Sequence, residues 1–148
     1  LRPKSRGFVR LSDSDPRSAP LIDPCYFSDS DDIRVLREGV KLARRVFRTE
    51  AFASIFGGDD LPATEVVTDE QIDADIRQRA ESIYHPVGTC RMGEDELAVV
   101  DSRLRVRGVS GLRVADASVM PLLISGNTNA ACMMIGEKAA TYVLEDNA

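Results

Sequence analysis

Two stretches of helical periodicity, each preceded by a helix-capping sequence, place the strongest constraint on how this chain can fold. The first begins at S28-D29-S30-D31-D32, whose side-chain oxygens can bind the free N–H groups of a first turn and whose charges suit the positive end of a helix dipole. Apolar side chains then recur every three or four positions, at Ile33, Leu36, Val40, Ala43 and Phe47. This pattern predicts an amphipathic helix over residues 31–48, with its basic side in solvent.

The second stretch starts with T68-D69-E70-Q71, which has the spacing of a capping box. Ile72, Ile76 and Ala80 continue the periodicity and predict a helix over residues 69–82. The proline at position 86 disfavours helical backbone at the residue before it, so we expect the helix to stop as it reaches that proline.

Extended segments alternate with these helices. Residues 7–11 read as a short strand, and residues 21–24 read as an extended piece held by a proline. Between residues 97 and 116 several short β-like runs are separated by turn residues.

Composition excludes several classes of function. The net charge is −5 over 148 residues, and no basic stripe is interleaved with aromatic residues, so nucleic acid is not the expected partner. No apolar run approaches the roughly 20 residues that cross a bilayer, and the N-terminus lacks the apolar core of a signal peptide. The three cysteines are widely spaced and fit neither a disulfide framework nor a paired metal site. We therefore expect a cytoplasmic protein without a membrane span or a metal.

The chain has one histidine, His85, in the sequence S-I-Y-H-P-V-G-T-C-R-M-G. A zinc site would need about three or four protein ligands, and a nucleophilic pair with Cys90 is poorly supported by five residues of separation within a loop. No GxSxG, phosphate-loop or GxGxxG sequence occurs. A structural role and a role as general base both stay open for this histidine.

A second polar turn, S-G-N-T-N-A at residues 125–130, precedes an alanine-rich helical pattern. Asn127 or Thr128 can cap this helix, whose N-terminus attracts partial negative charge. Asn127 is interpreted either as a cap alone or as a cap that also holds a substrate oxygen.

Three sequences in order, Y-H-P-V-G-T-C-R-M-G, then residues 99–121, then S-G-N-T-N-A-A-C-M-M-I-G-E-K-A-A, resemble the C-terminal part of the glucose–methanol–choline (GMC) oxidoreductases. The likeness is greatest to the choline and alcohol dehydrogenase branch. It implies an α+β fold in which an antiparallel sheet of the substrate-binding domain is covered by helices. Residues 1–96 would belong to that domain, and residues 97–148 would return to complete the FAD-binding domain. The resemblance also implies that the N-terminal dinucleotide-binding half is missing from this chain and is its partner.

The same resemblance implies a set of site residues. His85 matches the family's catalytic base, and Asn127 matches its second catalytic residue. The residues implied to lie at the FAD cofactor are Asp116, Ala117, Asn127, Thr128 and Asn129.

The implied reaction is FAD-dependent oxidation of a CH–OH group, in an alcohol or choline-like small molecule, to an aldehyde. His85 would remove the hydroxyl proton as hydride passes to flavin N5. Two alternatives stay open: a truncated lobe or interaction module without catalysis, and an FAD-containing hydroxynitrile lyase.

Overall fold

The computed structural model describes residues 2–59, 62, 63 and 65–147, which form two compact units. Residues 4–81 make up the helical unit, and residues 82–147, with residues 2 and 3, make up the histidine unit. Both helices and strands are present, which confirms the α+β class. The predicted division at residue 96 concerns the parts of a longer enzyme and stays a prediction; within this chain the units divide after residue 81.

The strands of the helical unit form a two-stranded antiparallel sheet. Strand β1 is Phe8–Arg10 and strand β2 is Leu21–Asp23, which confirms both predicted extended segments. Gly7 precedes β1 where the backbones come close: a Cβ atom there would lie 2.1 Å from the carbonyl oxygen of Asp23. Only glycine fits this approach. Every residue of the two strands is exposed, so this sheet does not supply the core of the unit.

The core of the helical unit lies between helix α1, Ser30–Phe47, and helix α2, Asp69–Arg79. Asp29 caps α1 by accepting a hydrogen bond from the backbone N–H of Asp31, as its sequence predicts. The buried apolar residues of this core come from both helices and are Ile33, Ile72 and Ile76.

Ion pairs join the polar edges of the same two helices. The guanidinium of Arg37 lies 2.7 Å from a carboxylate oxygen of Asp73, and the ammonium of Lys41 lies 2.7 Å from Asp69. The hydrogen bond from Lys41 holds the pKa of Asp69 below its usual value.

Helix α2 confirms the predicted capping box but not the predicted end. The side chain of Thr68 accepts from the N–H of Gln71, and the side chain of Gln71 accepts from the N–H of Thr68. The helix ends at Arg79, because Ala80 is extended with φ −64° and ψ 130°. The predicted end at residue 82 is wrong. Pro86 restricts only the residue before it, so it does not account for an end at Arg79.

The histidine unit is built on helix α3, Asn129–Asp146, and on irregular segments packed against it. The buried apolar residues of its core are Val100, Leu104, Val119, Met120, Ile135 and Ala139. The β-like runs predicted between residues 97 and 116 form isolated bridges, such as Val100 with Val106, and no strand. Gly108 and Gly111 have φ of 76° and 75°, and these left-handed turns keep the extended pieces too short to form strands.

Ion pairs attach the last turn of α3 to the preceding segment. The carboxylate of Asp146 pairs with Arg103 at 3.0 Å, with Arg105 at 2.7 Å and with Arg113. The hydrogen bond from Arg105, against some desolvation, lowers the pKa of Asp146.

Across the described residues, no helix is both long enough and apolar enough to cross a membrane.

Candidate active site

The segment that carries His85 leaves helix α2 without regular structure and turns sharply just before the imidazole. Tyr84 adopts a left-handed backbone conformation, with φ 63°, and its N–H donates to the hydroxyl of Ser82 at 2.9 Å. A non-glycine residue with positive φ is uncommon and signals a backbone held by its surroundings. Tyr84 is 81% exposed.

The segment after His85 is tied to the short 3₁₀ helix Ala117–Val119 by backbone hydrogen bonds. The N–H of Cys90 donates to the carbonyl of Ser118 at 3.0 Å, and the N–H of Met92 donates to the carbonyl of Val119 at 2.9 Å. Val119 is completely buried. The loop that follows the histidine is therefore mounted on the core of the histidine unit.

The closest polar contact of the imidazole is with the start of helix α3. Nδ1 of His85 lies 2.9 Å from the hydroxyl oxygen of Thr128, a residue 43 positions later in the chain. Thr128 is 8% exposed and His85 is half-buried. Within the described part of the chain, Nε2 of His85 has no hydrogen-bond partner. One ring nitrogen is thus engaged by the protein, and the other is free.

Thr128 occupies the N-cap position of α3 but its side chain does not cap the helix. Its backbone is already helical, with φ −78° and ψ −12°, whereas a capping residue normally has extended backbone. The prediction that the side chain of Asn127 or Thr128 caps this helix is wrong. Among the described residues, no side chain accepts from the first-turn N–H groups, and the hydroxyl of Thr128 contacts His85 instead.

Asn127 and Asn129 flank Thr128 and are both exposed. Neither side-chain amide makes a hydrogen bond within the described residues. Their donors and acceptors are available to a ligand, beside the residue that binds the imidazole.

The other predicted cofactor residues, Asp116 and Ala117, lie next to the 3₁₀ helix on which the histidine loop is mounted. The carboxylate of Asp116 accepts from the N–H of Ser118 at 2.8 Å and caps that short helix. Ala117 packs partly buried against the core. Among the described residues, neither bonds to His85 or Thr128. Their predicted role at a cofactor stays a prediction.

Two arrangements near the site could not have been found from sequence patterns. The contact of Thr128 with His85 spans 43 residues. Arg2 donates to the hydroxyl of Ser125, in the turn that holds Asn127, across 123 residues. No local spacing signals contacts of this range; only a fold can bring such residues together.

Arg91, which follows the histidine motif, is occupied by a neighbour. Its guanidinium nitrogens lie 2.8 and 2.6 Å from the two carboxylate oxygens of Asp95, a bidentate pair. The hydrogen bonds from Arg91 hold the pKa of Asp95 far below its usual value. The guanidinium of Arg91 is therefore engaged in an ion pair within its own loop.

Comparison with known proteins places this chain in a family. The chain is 50% identical to the alcohol dehydrogenase [acceptor] of Pseudomonas putida over 144 residues, which are 97% of this chain and 26% of that protein. It is 46% identical over 143 residues, with the same coverage, to the oxygen-dependent choline dehydrogenase of Cronobacter sakazakii. The chain spans about a quarter of the length of these curated relatives.

A solved structure gives the same result in three dimensions. An FAD-dependent oxidoreductase from Chaetomium thermophilum matches with a TM-score of 0.92 and 31% identity, over 99% of this chain and 26% of the other. The protein-family model described as GMC oxidoreductase matches residues 3–136 of the chain. The chain therefore belongs to the GMC oxidoreductase family and corresponds to the C-terminal portion of its relatives.

Proposed function

We propose that the protein carrying this chain oxidises the CH–OH group of an alcohol or choline-like substrate to the aldehyde with FAD as electron acceptor. In this proposal His85 and Asn127 act on the substrate hydroxyl. The observation that carries the proposal is the contact between His85 and Thr128, because it brings the single histidine to the residue next to Asn127. The names of the two relatives, an alcohol and a choline dehydrogenase, support the substrate class.

The residues at the start of α3 fit an electron-rich ring edge of a flavin. Within the part of the chain that the structure describes, the first-turn N–H groups have no side-chain acceptor, and Asn127 and Asn129 are exposed. The positive end of a helix dipole favours partial negative charge at this point. FAD, when bound, supplies the two-electron acceptor for the hydrogen that leaves the substrate carbon.

The proton of the substrate hydroxyl goes to Nε2 of His85 in this mechanism. Nε2 is free of protein partners among the described residues, while Nδ1 is held by Thr128. Histidine exchanges protons near neutral pH and is the residue most often used as a general base. Half-burial of His85 restricts solvent around the ring without closing it off.

Asn127 would donate a hydrogen bond from its side-chain amide to the same substrate oxygen. An amide keeps this donor at every working pH and does not compete for the proton. Its contribution is orientation, because an oxygen held from two sides presents its carbon in a fixed direction.

The test is anaerobic stopped-flow reduction of the bound flavin by an alcohol in the FAD-loaded protein. His85→Gln keeps a polar side chain but removes the base, so we expect reduction to slow by about 10²–10⁴-fold while FAD content is unchanged. Asn127→Ala should slow reduction less, because it removes orientation alone.

Asn147→Ala is the matched control for Asn127→Ala. Asn147 lies just after α3, where its amide donates to the carbonyl of Val143, at the opposite end of the helix. We expect wild-type reduction in this variant. Unchanged reduction in His85→Gln would remove the base role, and a wild-type flavin that stays oxidised with substrate would remove alcohol oxidation.

A further inference from the structure

We propose that Thr128 is a positioning residue that fixes the tautomer of His85: Nδ1–H donates to the Thr128 hydroxyl, which leaves Nε2 unprotonated and available as the base. The inference deepens the proposed function and rests on it for the identity of the base. It assigns Thr128 a task different from contact with the cofactor.

The hydroxyl of Thr128 is released for this task by the backbone. At ψ −12° the backbone of this N-cap residue is already helical, and its side-chain oxygen does not accept from a first-turn N–H. Thr128 is also 8% exposed, so its hydroxyl is largely removed from water. A buried polar group requires a partner, and the partner that the structure provides is the imidazole at 2.9 Å.

Both ends of this hydrogen bond are mounted on fixed elements. The carbonyl of Thr128 accepts the first helical hydrogen bond of α3, from Cys132 at 2.9 Å, and Cys132 packs against the core. On the histidine side, Gly88 has φ 90°, and a Cβ atom there would lie 3.4 Å from the carbonyl oxygen of Met120. Both partners are therefore attached to ordered parts of the histidine unit, which keeps the hydroxyl beside Nδ1.

The direction of the hydrogen bond follows from the base role proposed for Nε2. A neutral imidazole has one N–H and one lone pair, whereas a hydroxyl can donate or accept. If the hydroxyl donated to Nδ1, the ring proton would sit on Nε2, and the free nitrogen could not accept a proton. A base at Nε2 therefore requires Nδ1–H, with the hydroxyl as acceptor.

The test is ¹⁵N NMR of the FAD-loaded protein labelled in its histidine rings. The resonances of His85 are identified as those that His85→Gln removes. In the wild type we expect Nδ1 to show the shift of a protonated nitrogen and Nε2 that of an unprotonated one. The reverse assignment overturns the inference without any threonine variant.

Two variants separate the hydroxyl from the shape of the side chain. Thr128→Val keeps the branched shape without the hydroxyl, and we expect the tautomer ratio to move towards Nε2–H. Thr128→Ser keeps the hydroxyl, and we expect the wild-type ratio. A wild-type ratio in Thr128→Val overturns the inference. FAD content and thermal unfolding identify a misfolded variant, in which case the wild-type and Thr128→Ser spectra decide.

Kinetics supply an independent readout. Partners that orient a metal-binding histidine typically contribute 10–100-fold. By analogy we expect Thr128→Val to slow flavin reduction by about 10-fold, with apparent substrate affinity unchanged. Recovery of the rate in Thr128→Ser supports the positioning role; equal losses in both variants contradict it. If the spectra behave as expected but His85→Gln reduces flavin normally, the proposed base role fails and the tautomer assignment stands.

Discussion

The starts of helices α2 and α3 carry the same residue type and use it for different purposes. Thr68 and Thr128 both occupy N-cap positions, with φ of −79° and −78°. Their ψ angles are 159° and −12°. With extended backbone, the hydroxyl of Thr68 accepts from the N–H of Gln71 and caps its helix. With helical backbone, the hydroxyl of Thr128 binds His85.

The ψ angle thus distinguishes the threonine whose hydroxyl caps its helix from the threonine whose hydroxyl binds His85. In the helical unit the capping requirement is met locally, within four residues of sequence. In the histidine unit the helix start gives up its side-chain cap, and core packing through Ile135 holds α3. The uncapped N–H groups and the diverted hydroxyl are what make this helix start a candidate site.

The largest effect should come from removing the core support of each helix. Ile135→Ala in α3 and Ile72→Ala in α2 delete side chains that are 5% and 1% exposed. Each should lower the free energy of unfolding by about 2–5 kcal/mol, since both leave a cavity. Denaturant unfolding of both variants measures this loss.

These two variants differ in what they do to the imidazole. Ile135→Ala should change the ¹⁵N signals of His85, because it loosens the helix that carries Thr128; Ile72→Ala should leave them unchanged. Equal disturbance by both variants would show that the site does not depend on the histidine unit alone.

A smaller effect is expected from removing each hydroxyl at the helix starts. Thr68→Val should lower the free energy of unfolding by about 1 kcal/mol, because the cap of α2 is lost. It should also speed hydrogen exchange of the Gln71 amide, which loses its acceptor. Thr128→Val should leave exchange of the Ala131 amide unchanged, because no side-chain cap exists there. Faster exchange at Ala131 would mean that Thr128 does cap α3 in solution.

The smallest effect on stability is expected from acidification, which removes the charge of carboxylates at the helix ends. The pKa of Asp69 at the start of α2 is lowered by its hydrogen bond with Lys41, and the pKa of Asp146 at the end of α3 by its hydrogen bond with Arg105. A carboxyl whose pKa is lower folded than unfolded adds stability above its unfolded value, near 3.8 here, and loses it as pH falls through the folded value. Both helix ends should therefore weaken below about pH 4.

Urea unfolding at pH 7 and pH 3 measures this loss. Asp69→Asn and Asp146→Asn should each flatten the decline in stability on acidification. Glu70→Gln is the control, because Glu70 makes no ion pair within the described residues. If the two asparagine variants decline as steeply as the control, the ion pairs do not stabilise the helix ends.

Local sequence predicted the elements whose causes are local. The acidic start before Ile33 and the capping box at Thr68 act within one turn, and both helices form where those signals predict. The end of α2 was missed by three residues, because nothing at positions 80–82 breaks a helix. The β-like runs near Val100 form single bridges, because left-handed residues at Leu104, Gly108 and Gly111 interrupt the extended pieces.

The candidate site could be predicted only in part. The family resemblance pointed to His85 and Asn127, and the fold brings the histidine to the residue beside that asparagine. The use of Thr128 could not be predicted, because it depends on the ψ angle of this residue and on a partner 43 positions away. Sequence identifies a threonine in capping position; the tertiary structure decides what its hydroxyl binds.

A crystal structure of the FAD-loaded protein with an alcohol analogue that cannot be oxidised tests the central claim most directly. The account predicts the analogue's oxygen at hydrogen-bonding distance, about 2.6–3.2 Å, from both Nε2 of His85 and the side-chain amide of Asn127, with Nδ1 still on Thr128. An analogue oxygen bound away from both groups, or an imidazole turned so that Nε2 faces Thr128, would contradict it.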